Sequence, residues 1–153
     1  MTTTSFDELT LEKWIEAAPY STETLSALYA IAYEYYRNGK YAEAKTSFHL
    51  LTIADTSDTR FWMGLGASYQ MLKNYDAAIH AYSIAAVQNC SDPYVHFYAA
   101  ECFFYQGNLP KALEAIDSSL TVAKDTQAGS ALISKLELLS HTWSLQHNGG
   151  NHG

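Results

Sequence analysis

Apolar positions recur three and four residues apart along most of the chain, the spacing of one helical face, and turn-forming clusters break that pattern at regular intervals. In FDELTLEKWIEA, Phe6, Leu9, Trp14 and Ile15 fall on one side of a short helix over about 6–17, with Ser5 placed to cap it and Glu8 three residues on. Pro19 interrupts this helix, and Ser21 or Thr22 can cap the next. Pairs of amphipathic helices follow, joined by RNGKY, LKNY and YQGNLPKA and separated by ADTSD and NCSDP. Gly39 stands just past a helix end, where a left-handed residue is often needed, and Asn74 is available for that role in the second turn. Gly107 ends a third helix, Asn108 caps its successor and Pro110 sits in the first turn, where its missing N–H costs little. Ala131, Leu132, Leu136, Leu139 and Trp143 predict a last helix over about 128–147, with 148–153 as a flexible tail.

The helix pairs repeat. Ala44, Ala78 and Ala112 are 34 residues apart, as are Tyr35, Tyr69 and Phe103, and Tyr41, Tyr75 and Leu109. Three columns in step at that interval give the tetratricopeptide period. The repeats run over about 25–58, 59–92 and 93–126. The middle one matches best: Trp62, Leu65, Gly66 and Tyr69 on one helix answer Ala78, Tyr82 and Ala85 on the next. Gly66 and Ala78 let the two helices approach closely, and the aromatic side chains fill the space around them. In the first repeat Leu28, Ile31, Ala32 and Tyr35 should face Ala44, Phe48 and Leu51; the third departs at His96, Ala100 and Ser119. A repeat cannot bury its apolar face alone, so the expected fold is all-α: a right-handed superhelix of three stacked repeats in one domain, 1–153, with an N-terminal helix and a C-terminal capping helix.

Composition changes this picture at two points. Twelve Tyr, six Phe and three Trp make 14% of the chain, which suggests either tight helix packing or an aromatic-lined recognition surface. Nine Lys plus Arg stand against sixteen Asp plus Glu, a formal charge of -7, so no electrostatic footprint for nucleic acid or an anionic membrane exists. No apolar run is long enough to insert in a membrane, and the N-terminus has no signal-peptide pattern. Cys90 and Cys102 make no metal or redox spacing; both are expected as reduced thiols, Cys102 as a small buried hydrophobe. The six histidines form no ligand motif, and His96, in the Trp62 column, is expected to be a packed core residue. GLG at Gly64–Gly66 lies mid-helix, where Gly66 is better explained as a close-packing glycine than as part of a phosphate loop. No nucleophile, acid–base or cofactor motif is present, so the expectation is a protein without catalysis, metal or cofactor.

The aromatic excess points to recognition. First helices of stacked repeats line the concave side. Counting from Leu25, Thr59 and Pro93, positions 2, 5, 9, 12 and 13 face the groove. They are Ser26, Tyr29, Tyr33, Tyr36 and Arg37; Arg60, Met63, Ala67, Gln70 and Met71; and Tyr94, Phe97, Glu101, Phe104 and Tyr105. The candidate peptide-binding residues are Tyr29, Tyr33, Tyr36, Met63, Gln70, Met71, Phe97, Phe104 and Tyr105. The strongest anchors are expected on the two outer repeats, over a methionine-rich floor.

The stretches LYAIAYEYYRNGKYAEAKTSF, FWMGLGASYQ, YDAAIHAYSIAA and FYAAECFFYQGNLPKA resemble the class II chaperones of type III secretion systems, the LcrH/SycD-like group, over about residues 28–125. The resemblance implies a chaperone of the bacterial cytoplasm that keeps hydrophobic translocator proteins soluble before export. It implies an extended client segment with a Pro–x–Leu–x–x–Pro-like pattern in the groove, against tyrosines corresponding to Tyr29 and Tyr36. It also implies a homodimer in the absence of client, for which Phe6, Leu9, Trp14 and Ile15 are candidate contacts. Some members of the group assist a transcriptional activator. The alternative is a general tetratricopeptide scaffold joining folded proteins.

Overall fold

The computed structural model describes residues 20–150, so the helix at about 6–17 and the dimer contacts Phe6, Leu9, Trp14 and Ile15 lie outside the described residues. Seven helices follow one another with no strand among the described residues: α1 (Thr22–Arg37), α2 (Tyr41–Ala54), α3 (Thr59–Met71), α4 (Tyr75–Gln88), α5 (Pro93–Tyr105), α6 (Leu109–Asp125) and α7 (Ser130–Gly150). Each packs chiefly on its neighbours in sequence, and α1 also touches α3 as α3 touches α5, so the first helices of the repeats stand side by side.

Local chemistry sets the helix ends. Ser21, Asp58, Asn74, Asp92 and Asn108 each accept a backbone N–H in the first turn that follows them. Lys40 occupies the column of Asn74 and Asn108 with nearly the same backbone (φ -85, ψ 66, against -89, 76 and -89, 73) but makes no side-chain cap bond. Within the repeats the left-handed turn residues are Gly39 (φ 74) and Gly107 (φ 77), and in the second turn Lys73 (φ 61). Asn74, expected there, caps α4 instead, because the same turn geometry in every repeat puts the left-handed residue one position earlier.

Between helices the contact is made by residues with little side chain. Ala32, Gly66 and Ala100 on the first helices and Ala44, Ala78 and Ala112 on the second are all buried. A Cβ on Gly66 would lie 2.6 Å from the Tyr82 ring, and one on Gly64 2.3 Å from the Phe48 ring, so both glycines of GLG are packing positions. One core joins Ala32, Ala44, Phe48, Leu51, Phe61, Leu65 and Ala81 across α1 to α4. Ala78, Tyr82, Ala85, Val95 and Cys102 continue it between α4 and α5. Leu28 and Ile31 (51% exposed) are exposed rather than packed on α2, because the face of α1 in that core carries Leu25, Tyr29, Ala32, Tyr35 and Tyr36 instead.

The last core cluster changes the concave side. Leu136 and Trp143 of α7 join Phe97 and Ala100 of α5 and Ala112, Ile116 and Ala123 of α6. The capping helix therefore lies against α5 as well as α6, and it runs through His147 to Gly150. Ser119, a departure from the repeat pattern, is explained: its buried hydroxyl donates to the Pro93 carbonyl at 2.8 Å. His96 is half-buried, not a core residue; the imidazole is smaller than the indole it replaces and lines a 370 Å³ surface hollow with Phe103 and Lys111.

Candidate peptide-binding groove

The concave side carries an open groove of about 520 Å³ between α1, α3 and α5. From α1 come Tyr29, Tyr33 and Tyr36, at spacings of four and three residues that keep them on one face. Tyr29 packs edge-on to Phe48 and tilted on Phe61, which fixes its ring, and Tyr33 (50% exposed) stacks beside it at 6.2 Å. Tyr36 meets Tyr41 edge-to-face at 5.3 Å. The floor comes from α3: Met63, Gly64, Ala67, Gln70 and Met71. Gly64 leaves the Phe48 ring reachable from the groove, and flexible thioethers let the floor adapt to its occupant. The far wall is Tyr82, Tyr98 and Glu101.

Six of the nine candidate residues therefore stand together: Tyr29, Tyr33, Tyr36, Met63, Gln70 and Met71. Three do not. Phe97 is 3% exposed, inside the α5–α6–α7 core, with the Lys135 ammonium 4.7 Å from its ring centre. Phe104 stacks face to face on Trp143 at 4.6 Å. Tyr105 is 62% exposed and stacks on Tyr75 at 5.7 Å, outside the groove. For Phe97 and Phe104 the physical reason is α7, whose Leu136 and Trp143 pack where counting from Pro93 assigned a ligand; Tyr105 is drawn aside by Tyr75 of α4 instead. Tyr98 takes the wall position in place of Phe97, a shift of one residue, and stacks on Tyr82 at 5.8 Å.

Polar groups converge on Gln70. Its amide oxygen accepts the Tyr82 hydroxyl at 2.8 Å, and its nitrogen donates to Glu101 Oε2 at 3.0 Å. Burial pushes the Tyr82 hydroxyl up from its ordinary pKa. Burial does the same at Tyr36, helped by Tyr41 and Glu101, and at Tyr98, helped by Glu101. These tyrosines are neutral hydrogen-bonding groups at physiological pH. At the other mouth Arg60 lies 5.1 Å from the Tyr29 ring centre and pairs with Asp58 through two bonds of 3.0 and 2.7 Å. That side-chain bond holds the Asp58 carboxyl below the usual carboxylate range. Among the described residues no three His, Cys, Asp or Glu side chains gather as metal ligands, and no helix is long and apolar enough to cross a membrane.

Comparison with known proteins accords with this geometry. The family model for the tetratricopeptide repeat matches residues 29–92 and 72–128. The structure of the Yersinia enterocolitica type III secretion chaperone SycD in complex with a peptide of the translocator YopD superposes with a TM-score of 0.78 at 33% identity, over 83% of this chain and 97% of that one. This chain belongs to the SycD-like branch of the tetratricopeptide-repeat family. Another such structure, PcrH in complex with the chaperone binding region of PopD, gives a TM-score of 0.80 at 31% identity, over 83% and 96% of the two chains. Low calcium response locus protein H of Yersinia pestis is 40% identical over 105 residues, 69% of this chain. This SycD-like chain spans about 60% of the length of that relative. SycD is also described in an alternative dimer.

Proposed function

We propose that the chain is a chaperone that holds an extended segment of a hydrophobic type III secretion translocator protein in its concave groove. The observation that carries this is the groove itself: Tyr29, Tyr33 and Tyr36 on one wall and Met63 and Met71 on the floor surround open space that no described side chain fills. An extended segment suits that space. Its apolar side chains can enter between the rings, while its free backbone groups can bond Gln70 and the tyrosine hydroxyls. The structures of SycD with a YopD peptide and of PcrH with a PopD region support the same use of the fold.

Capture on this account is stoichiometric and needs no catalysis, metal or cofactor. The chaperone works in the bacterial cytoplasm, before export, masking surface that would otherwise aggregate, and pairs with a second copy when no client is bound. The test is co-expression with a translocator of the same secretion system. The expected result is an otherwise insoluble translocator recovered in solution with the chain. A translocator that stays insoluble would favour the scaffold alternative.

A further inference from the structure

Glu101 is the one charged group of the groove that the described residues leave without compensation. Its Oε2 accepts from Gln70, and Gln70 is itself held by the Tyr82 hydroxyl, so the carboxylate is aimed by a fixed relay. Its other oxygen takes no hydrogen bond from the described residues, and no Lys, Arg or His among them lies within 4 Å. The other charges of the groove are matched. Arg60 is occupied by Asp58. Asp92 caps α5, accepting the Tyr94 N–H at 2.9 Å at the positive end of that helix. Glu101 stands two turns past the N-terminus of α5 (Pro93–Tyr105), too far along the helix for its positive end to offset the charge.

A wholly apolar segment laid across this wall would strip water from the carboxylate and offer at most a backbone N–H in return, which leaves its charge unmatched. A cationic side chain would replace that water with a charge-assisted hydrogen bond. We propose that Glu101 is a specificity-determining residue of the groove, selecting segments that place a Lys or Arg beside their apolar anchors. This rests on the groove being the client site.

The test uses fluorescein-labelled dodecapeptides built on a Pro–x–Leu–x–x–Pro frame. Each carries a single Lys at one x or flanking position, paired with a peptide carrying Gln there. Anisotropy against the full chain should find one position where Lys binds about 10-fold tighter than Gln, the scale of one charge-assisted bond. Glu101→Gln, which keeps the volume and the acceptor for Gln70, should abolish that preference while still binding the Gln peptides. Glu101→Lys should reverse it, so that a Glu peptide binds better at the same position. Equal binding of Lys and Gln at every position, or a preference that survives Glu101→Gln, overturns the role of Glu101 and leaves the groove reading standing. Peptides that fail to bind the wild-type chain overturn the groove reading and this inference with it.

Discussion

Phe97→Ala separates a core residue from a groove anchor. Counting from the repeat start put Phe97 in the groove, but it is 3% exposed, packed with Ile116, Leu136 and Trp143 and flanked by the Tyr98 ring at 5.4 Å. Truncating a buried Phe to Ala costs about 3–5 kcal/mol, from lost transfer energy and the cavity left behind. The site has little room to collapse, since Trp143 is held by its stack on Phe104. At roughly 2–4 °C per kcal/mol for a domain of this size, the melting midpoint should fall by about 10 °C. Thermal melts followed by circular dichroism read this directly, and peptide affinity measured well below the midpoint should change less than threefold. A midpoint moved by less than about 3 °C together with a large loss of affinity would refute the reasoning and return Phe97 to the groove.

Lys40→Asn should stabilise the fold by about 1 kcal/mol, because it installs the side-chain cap that Asn74 and Asn108 make on the same backbone; an unchanged urea midpoint would contradict it. Ser119→Ala should cost about 1 kcal/mol, because the bond its hydroxyl adds to the Pro93 carbonyl, beside the helical one, is lost; an equilibrium urea melt checks this, and no cost would contradict the role given to that hydroxyl. Stability should also fall in alkali. Burial pushes the Cys102 thiol up to about 12 and raises Tyr82, so the unfolded chain releases these protons first. The stability they confer is complete below about pH 8.5 and is lost as pH rises towards 12, by up to about 1.4 kcal/mol per pH unit for each group. A urea midpoint flat from pH 8 to 11 would contradict this.

The repeat architecture was legible in the chain because it rests on columns of small residues, and a column survives any change in what surrounds it. Ala44, Ala78 and Ala112 are all fully buried in the core clusters. The first and second repeats put their counted positions along the groove, for Tyr29, Tyr36, Met63 and Gln70 line it by position along α1 and α3 alone. The third did not, because the environment of α5 is decided by α7, which lies outside the repeat and carries no column to align. The pairing of Phe104 with Trp143 joins residues whose partnership no period predicts. Lys73 was missed as the left-handed residue because turn propensity favours the neighbouring Asn74, whereas the position is fixed by the fold at the column of Gly39 and Gly107. Gly64 was read only as part of a mid-helix pair; its need for space against Phe48 comes from the ring's direction, which sequence does not show.

The central claim is that the tyrosine wall of the groove grips an extended client segment. The most direct measurement is the affinity of the wild-type chain and of Tyr36→Ala for the chaperone-binding segment of a translocator from the same secretion system, with circular dichroism confirming that the helices persist. A buried aromatic anchor of this kind is worth about 2 kcal/mol or more, so the variant should bind about 30-fold more weakly. Equal affinity in the two proteins, with both folded, would contradict the claim.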